Sequence, residues 1–164
     1  MTCTLYKQLA LYQKSVEHIK LHCWWNVAKH YPSATRQISS VMSVLMGGQP
    51  GGMQHNFKRR SCALCHLAAP DSPTHVLFEC PEISGKRTEL WGSVTNSMPS
   101  ALSSDIDNLN NKEKTVFILS GFRGEYIPEW KMTYVCVARF VHEMYKERNV
   151  KYTLITEDSK ACSQ

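Results

Sequence analysis

The segment CALCHLAAPDSPTHVLFECP, Cys62 to Pro81, constrains this chain more than any other stretch. Its ligand-type residues are spaced C-x2-C-x9-H-x4-C: Cys62, Cys65, His75 and Cys80. Two cysteines separated by two residues form a tight knuckle whose thiolates can face one ion. A histidine and a third cysteine further on complete a tetrahedron, and three sulfurs with one imidazole make a structural zinc set. The binding energy of one Zn²⁺ then becomes folding energy for this loop.

The neighbouring residues fit that geometry. Ser72 can cap a short helix with Pro73 at its first position, which places His75 on the first turn. Residues five apart on a regular helix do not share a face, so Cys80 must leave the helix to reach the ion. Pro81 follows it and biases it towards extended backbone. Val76, Leu77 and Phe78 supply apolar cover. Four protein ligands leave no position for water, which predicts one structural Zn²⁺ and no metal chemistry. Three thiolates and Zn²⁺ carry about one net negative charge, which Lys58, Arg59, Arg60, Lys86 and Arg87 can offset.

Other readings of the segment explain less. CALCH also fits the c-type haem pattern through Cys62, Cys65 and His66, but leaves His75 and Cys80 without a role and requires export. No secretory signal is visible, since TLYKQLALY is broken by Lys7 and Gln8. Seven cysteines without such a signal predict reducing conditions and disfavour a disulfide. The bland alternative is chance: reduced cysteines packed in a helical core. A second, RING-type zinc set is excluded because Cys3, Cys23, Cys136 and Cys162 are unpaired in spacing. No run of 18 apolar residues exists, so no membrane partner is expected. The expected location is intracellular, nuclear or cytoplasmic.

The rest of the chain reads as helical, and the predicted fold is mostly α with little or no β, built around the Cys3His knuckle. Leu5, Leu9, Tyr12, Val16, Ile19 and Cys23 recur at steps of four and three, predicting a helix to about His30, with Trp24 and Trp25 as anchors. Ser33 can cap a second helix bearing Ile38, Val41, Met42 and Leu45, closed by Gly47 and Gly48. Pro81 opens a helix after the knuckle. SMPSALSSD reads as loop, and NNKEKTVFILSGF as a short helix. Pro128 starts a last helix, with Trp130, Tyr134, Val137, Val141 and Met144 on one face to roughly Arg148. The resulting division is a basic helical region at 1–46, a zinc module at 47–92, a loop at 93–110, a helical region at 111–150 and a flexible tail at 151–164.

Charge is uneven along this plan. Residues 1–60 carry eight Lys/Arg against one acid, Glu17, a net +7, and the remainder sums to −2. Such a front third suits a polyanionic partner, although a solvated helix face carries similar charges. Lys58, Arg59 and Arg60 stand beside the knuckle, with Phe57 able to stack on an unpaired base. The knuckle is itself near neutral: from Lys58 to Trp91 there are five basic and four acidic residues. Nucleic-acid contact must therefore also draw on the N-terminal helices, including Arg36.

CALCHLAAPDSPTHVLFECPEISGKRTELW resembles the zinc-binding segment C-terminal to the polymerase in non-LTR (LINE-type) retrotransposon reverse transcriptases. The likeness is carried by Cys62, Cys65, Thr74, His75, Val76 to Phe78, Glu79, Cys80, Pro81, Arg87, Leu90 and Trp91, with Asn56, Phe57 and basic residues ahead of the first cysteine. It spans about a fifth of the chain, and residues 92–164 share only a helical character with it. The resemblance implies a module that helps engage template RNA or target DNA, with low sequence specificity, and the polymerase portion of the same element as a partner. The chain has no Tyr-x-Asp-Asp polymerase signature and is too short for a polymerase, so no enzymatic activity is expected. Asp105 and Asp107 read as a solvated turn, and Glu143 beside His142 as helix surface. The expected function is therefore non-catalytic zinc-dependent binding of RNA or DNA. The competing expectation is a zinc-stabilised structural or protein-interaction domain that binds no nucleic acid.

Overall fold

A computed structural model describes residues 22–47, 61–62, 64–65, 67–122 and 125–161. The described residues are helical with no strand, in agreement with the sequence. Six α-helices are α1 Cys23–His30, α2 Thr35–Leu45, α3 Ser84–Ser97, α4 Ser100–Asp107, α5 Asn111–Leu119 and α6 Lys131–Ala161. Short 3-10 turns lead into three of them: Pro32–Ala34 into α2, Pro81–Ile83 into α3 and Pro128–Trp130 into α6. Each begins with a proline, whose fixed φ suits a first turn and whose missing N–H is not needed there.

The long helix α6, about 46 Å at 1.5 Å per residue, is the axis of the molecule. Tyr134, Val137, Val141 and Met144 form its fully buried face, as their spacing predicts. Helices α2 and α3 pack most extensively against α6, and α1 packs on α2. Trp24 of α1 is fully buried; its Nε1–H donates to the Leu119 carbonyl at 2.7 Å, and its ring meets Tyr134 edge-on. Thr133 of α6 donates its hydroxyl to the Ser97 carbonyl, satisfying an open acceptor at the end of α3.

Helix α5 is closed at both ends by its sequence. Asn110 and Glu113 form a reciprocal capping box at its start. At its end Phe122 N–H bonds to the Phe117 carbonyl and Gly121 N–H to the Ile118 carbonyl, while the Phe117 and Phe122 rings pack together. That is a Schellman closure, with Gly121 at φ 75° in the left-handed position. A Cβ on Gly121 would lie 2.0 Å from the Cys23 sulfur, so both conformation and space require glycine. Gly121→Ala is expected to lower stability by about 2 kcal/mol or more, read by urea denaturation. A change below about 0.5 kcal/mol would show that α1 and the end of α5 are not in close register.

Five expectations are corrected. The helix carrying Cys23 does not run continuously through residue 22: His22 is extended and caps α1. The stripe from Leu5 to Ile19 lies outside the described residues. Trp25 is 54% exposed rather than a core anchor, because consecutive helical residues point about 100° apart and Trp24 takes the core side. Ser33 does not cap α2; it sits within the 3-10 turn, and Ala34 is the cap residue. The loop expected at 93–110 is instead the end of α3 and all of α4, where Leu102 and Ile106, one turn apart, are buried. Its serines and aspartates suggest a turn, but burial of that apolar pair decides the conformation. The expected tail at 151–164 is helical to Ala161, since extending an established helix costs far less than starting one.

Candidate metal centre

Cys62 and Cys65 occupy a tight turn in which Cys62 N–H donates to the Ala69 carbonyl at 2.7 Å. Ala68 takes a left-handed φ of 49° there, folding the chain back upon the knuckle. The second half begins as the sequence predicts: the Ser72 hydroxyl accepts from His75 N–H at 3.2 Å, and Pro73 opens the helical turn.

The five-residue spacing from His75 to Cys80 is resolved by a π turn. Residues His75–Glu79 are π-helical, and Cys80 N–H bonds to the His75 carbonyl at 2.7 Å. This wider turn brings residue i+5 back over residue i, which a regular helix does not. Cys80 itself is extended (φ −61°, ψ 118°), as a residue before proline prefers. Val76 and Leu77 on the turn are buried, and Phe78 packs edge-on against Trp91 of α3.

These turns bring together all four residues singled out by spacing. The ligand atoms of Cys62, Cys65, His75 and Cys80 lie within 4.8 Å of one another. Cys62 Sγ is 4.0 Å from Cys80 Sγ, and Cys65 Sγ is 3.3 Å from His75 Nε2. Tetrahedral zinc with bonds of about 2.3 Å to sulfur and about 2.0 Å to nitrogen separates such pairs by roughly 3.8 and 3.5 Å. None of the four residues is more than 6% exposed.

The donor chemistry fits a cation as well as the distances do. Burial, reinforced by the nearby Cys62 and Cys65, pushes the Cys80 thiol up to about 12, against a backbone hydrogen bond from Glu82. The Cys80 thiol so raised carries charge at neutral pH only beside a cation. Burial also lowers the pKa of His75, favouring the neutral imidazole that ligates metals. Its Nε2 faces the sulfurs, while Nδ1 lies 3.8 Å from the Glu79 carboxylate. At that distance the carboxylate is an electrostatic neighbour of the ring and not a hydrogen-bond partner, and Nδ1 is buried without one.

Arg87 holds the two halves of the second arm together. From α3 its Nε donates to the Leu77 carbonyl at 2.8 Å and its Nη2 to the Cys80 carbonyl at 2.6 Å. A planar guanidinium can span both acceptors. Arg87, expected at a nucleic-acid surface, is half-buried with its guanidinium engaged by the knuckle backbone. Arg87→Ala is expected to weaken zinc binding about 10- to 100-fold in competition with a chromophoric chelator. Arg87→Lys should recover little, because an ammonium cannot bridge both carbonyls; parent-like affinity in Arg87→Ala would refute the role.

The other residues expected at a nucleic-acid surface are dispersed. Lys86 pairs with Glu89 at 3.1 Å on α3. Arg36 is exposed on the first turn of α2. Phe57, Lys58, Arg59 and Arg60 lie outside the described residues.

Two anchors of the knuckle went unread in the sequence. Asp71, between Cys65 and His75, forms an ion pair with Arg148 of α6, with side chains 13% and 3% exposed. Lys151 of α6 donates to the Glu82 carbonyl just beyond Cys80. Both join residues about seventy positions apart, and no local pattern reports such a pairing. The π turn had a signal, an x4 spacing that a regular helix cannot satisfy. No helix among the described residues is long and apolar enough to cross a membrane. Neither a protein-family model, nor a characterised protein, nor a solved structure matches this chain.

Proposed function

We propose that this chain is a non-catalytic, zinc-stabilised module that binds RNA or DNA through the phosphate backbone. The observation that carries the metal part is the convergence of four buried donors, three sulfurs and one imidazole, at zinc-like separations. In this reading one Zn²⁺ takes Cys62, Cys65, His75 and Cys80, leaving no site for a reacting water, so the ion holds the fold and performs no catalysis. The net +7 of residues 1–60 supports the polyanion part. Likeness to the zinc segment of LINE-type reverse transcriptases rests on its motif residues alone. It adds an intracellular setting and a polymerase from the same element as partner.

The test is binding of a fluorescent single-stranded RNA 20-mer to zinc-loaded protein over a salt series. With about four phosphate contacts, affinity should fall roughly fifty-fold between about 50 and 200 mM salt. A second reading, a zinc-pinned protein-interaction domain, is favoured by the exposure of Trp25, Met46 and Met132. Absence of RNA and DNA binding at the lowest salt would sink the first reading and leave the second.

A further inference from the structure

A group of exposed cations among the described residues lies away from the knuckle, where α2 meets α6. At its floor the Ser40 hydroxyl of α2 and His142 Nδ1 of α6 are hydrogen-bonded at 2.8 Å. This contact fixes the register of the two helices. Arg36 lies one turn before Ser40 on α2, and Arg139 and Lys146 lie one turn to either side of His142 on α6. All three cations are exposed. Burial lowers the pKa of His142; Glu143 opposes this, while Arg36 and Lys146 add to it, which places both cations within electrostatic reach of the ring.

Acids are scarce on this face. Residues 22–47, which include all of α1 and α2, contain no Asp or Glu. On α6, Glu143 pairs with Lys146 at 3.5 Å, and among the described residues neither Arg36 nor Arg139 has an acidic partner. Ser39 of α2, one turn after Arg36, is exposed and offers a hydroxyl of the kind that donates to phosphate oxygens, while the Thr35 hydroxyl is spent on the Pro32 carbonyl. At the knuckle, by contrast, Arg87 is committed to two carbonyls, which leaves Lys86, paired with Glu89 as Lys146 is with Glu143, as its other described cation.

We infer that the phosphate-binding surface of this protein is the α2–α6 face, with Arg36, Arg139 and Lys146 contacting a nucleic-acid backbone across the Ser40–His142 junction. The inference rests on the proposed nucleic-acid function and relocates it from the knuckle to a surface that the zinc site does not touch. Its occupant is a polyanionic strand, selected by charge: the two helices present cations at helical spacing along a rigid seam, which matches repeated phosphates better than a single carboxylate ligand. Arg139 and Lys146 are seven residues apart, about 10 Å along α6, enough to engage separate phosphates of one strand.

The experiment uses the full zinc-loaded chain and the single-stranded RNA 20-mer. The triple variant Arg36→Glu, Arg139→Glu, Lys146→Glu is compared with Lys112→Glu, Lys114→Glu, Lys131→Glu, which makes the same charge change elsewhere. Zinc content and far-UV circular dichroism confirm that each is folded. If the charge reversals unfold the chain, the corresponding glutamine triples replace them. The expected result is at least a ten-fold loss of affinity, with a salt slope shallower by about two, in the α2–α6 variant only. Equal losses in both triples, or none in the α2–α6 triple while the parent binds, would overturn the inference and leave the proposed function standing. A parent chain that binds no RNA or DNA at the lowest salt would overturn both.

Discussion

Cys65→Ser is expected to release the metal and melt the segment from Cys62 to Trp91. Structural zinc sites of this composition hold their ion with an apparent free energy of about 10–16 kcal/mol, comparable to the whole stability of a small domain. Among the described residues the first arm is held by the Cys62 N–H bond to the Ala69 carbonyl and by burial of Leu64. Zinc per chain should fall from one to near zero by elemental analysis. The near-UV circular dichroism should lose intensity, because Trp91 is fixed by its edge-on contact with Phe78 on the π turn. His75→Ala should behave alike, and strong chelator should reproduce both results in the parent. Acid acts in the same direction: binding zinc displaces protons from three thiols, one of them pushed up to about 12 by burial, so affinity falls as pH falls. A metal-free chain that keeps its near-UV spectrum in chelator would remove the centre and with it the functional proposal.

Much of this centre was legible because its determinants are local. The four ligands, the Ser72 cap, Pro73 and the extended Cys80 lie within nineteen residues, and each is fixed by backbone preferences of its neighbours. The apolar faces of α2 and α6 were legible for the same reason, through spacing. What failed were judgments that composition cannot settle. Serine and aspartate suggested a loop over α4, yet Leu102 and Ile106 made it a helix once α3 had placed them against the core. Trp24 and Trp25 looked equivalent until the helix gave each its own direction. Arg87 looked like surface charge, and only the folded knuckle, by presenting the Leu77 and Cys80 carbonyls to it together, gave its guanidinium a structural task. Long-range partners had no sequence signature at all.

The pair of Asp71 and Arg148 is the costliest of those unread contacts to break. Both side chains are nearly enclosed, and Tyr145 one turn earlier on α6 is fully shielded, its pKa raised chiefly by burial. Taking two charges out of water carries a large penalty that only their mutual contact repays. Arg148→Met therefore leaves the Asp71 carboxylate beside apolar surface without its countercharge, at an expected cost of about 3–5 kcal/mol in urea denaturation with zinc saturating. Replacing both, Asp71→Leu with Arg148→Met, should return stability to within about 1 kcal/mol of the parent or above it, since a matched apolar pair escapes the desolvation penalty. Because Asp71 lies between Cys65 and His75, the single variant should also weaken zinc binding, and the double variant should restore it. If Arg148→Met costs less than about 1 kcal/mol, the pair behaves as a surface contact. The knuckle would then be docked on α6 by the packing of Val76, Leu77 and Ile83 and by the Lys151 contact to the Glu82 carbonyl.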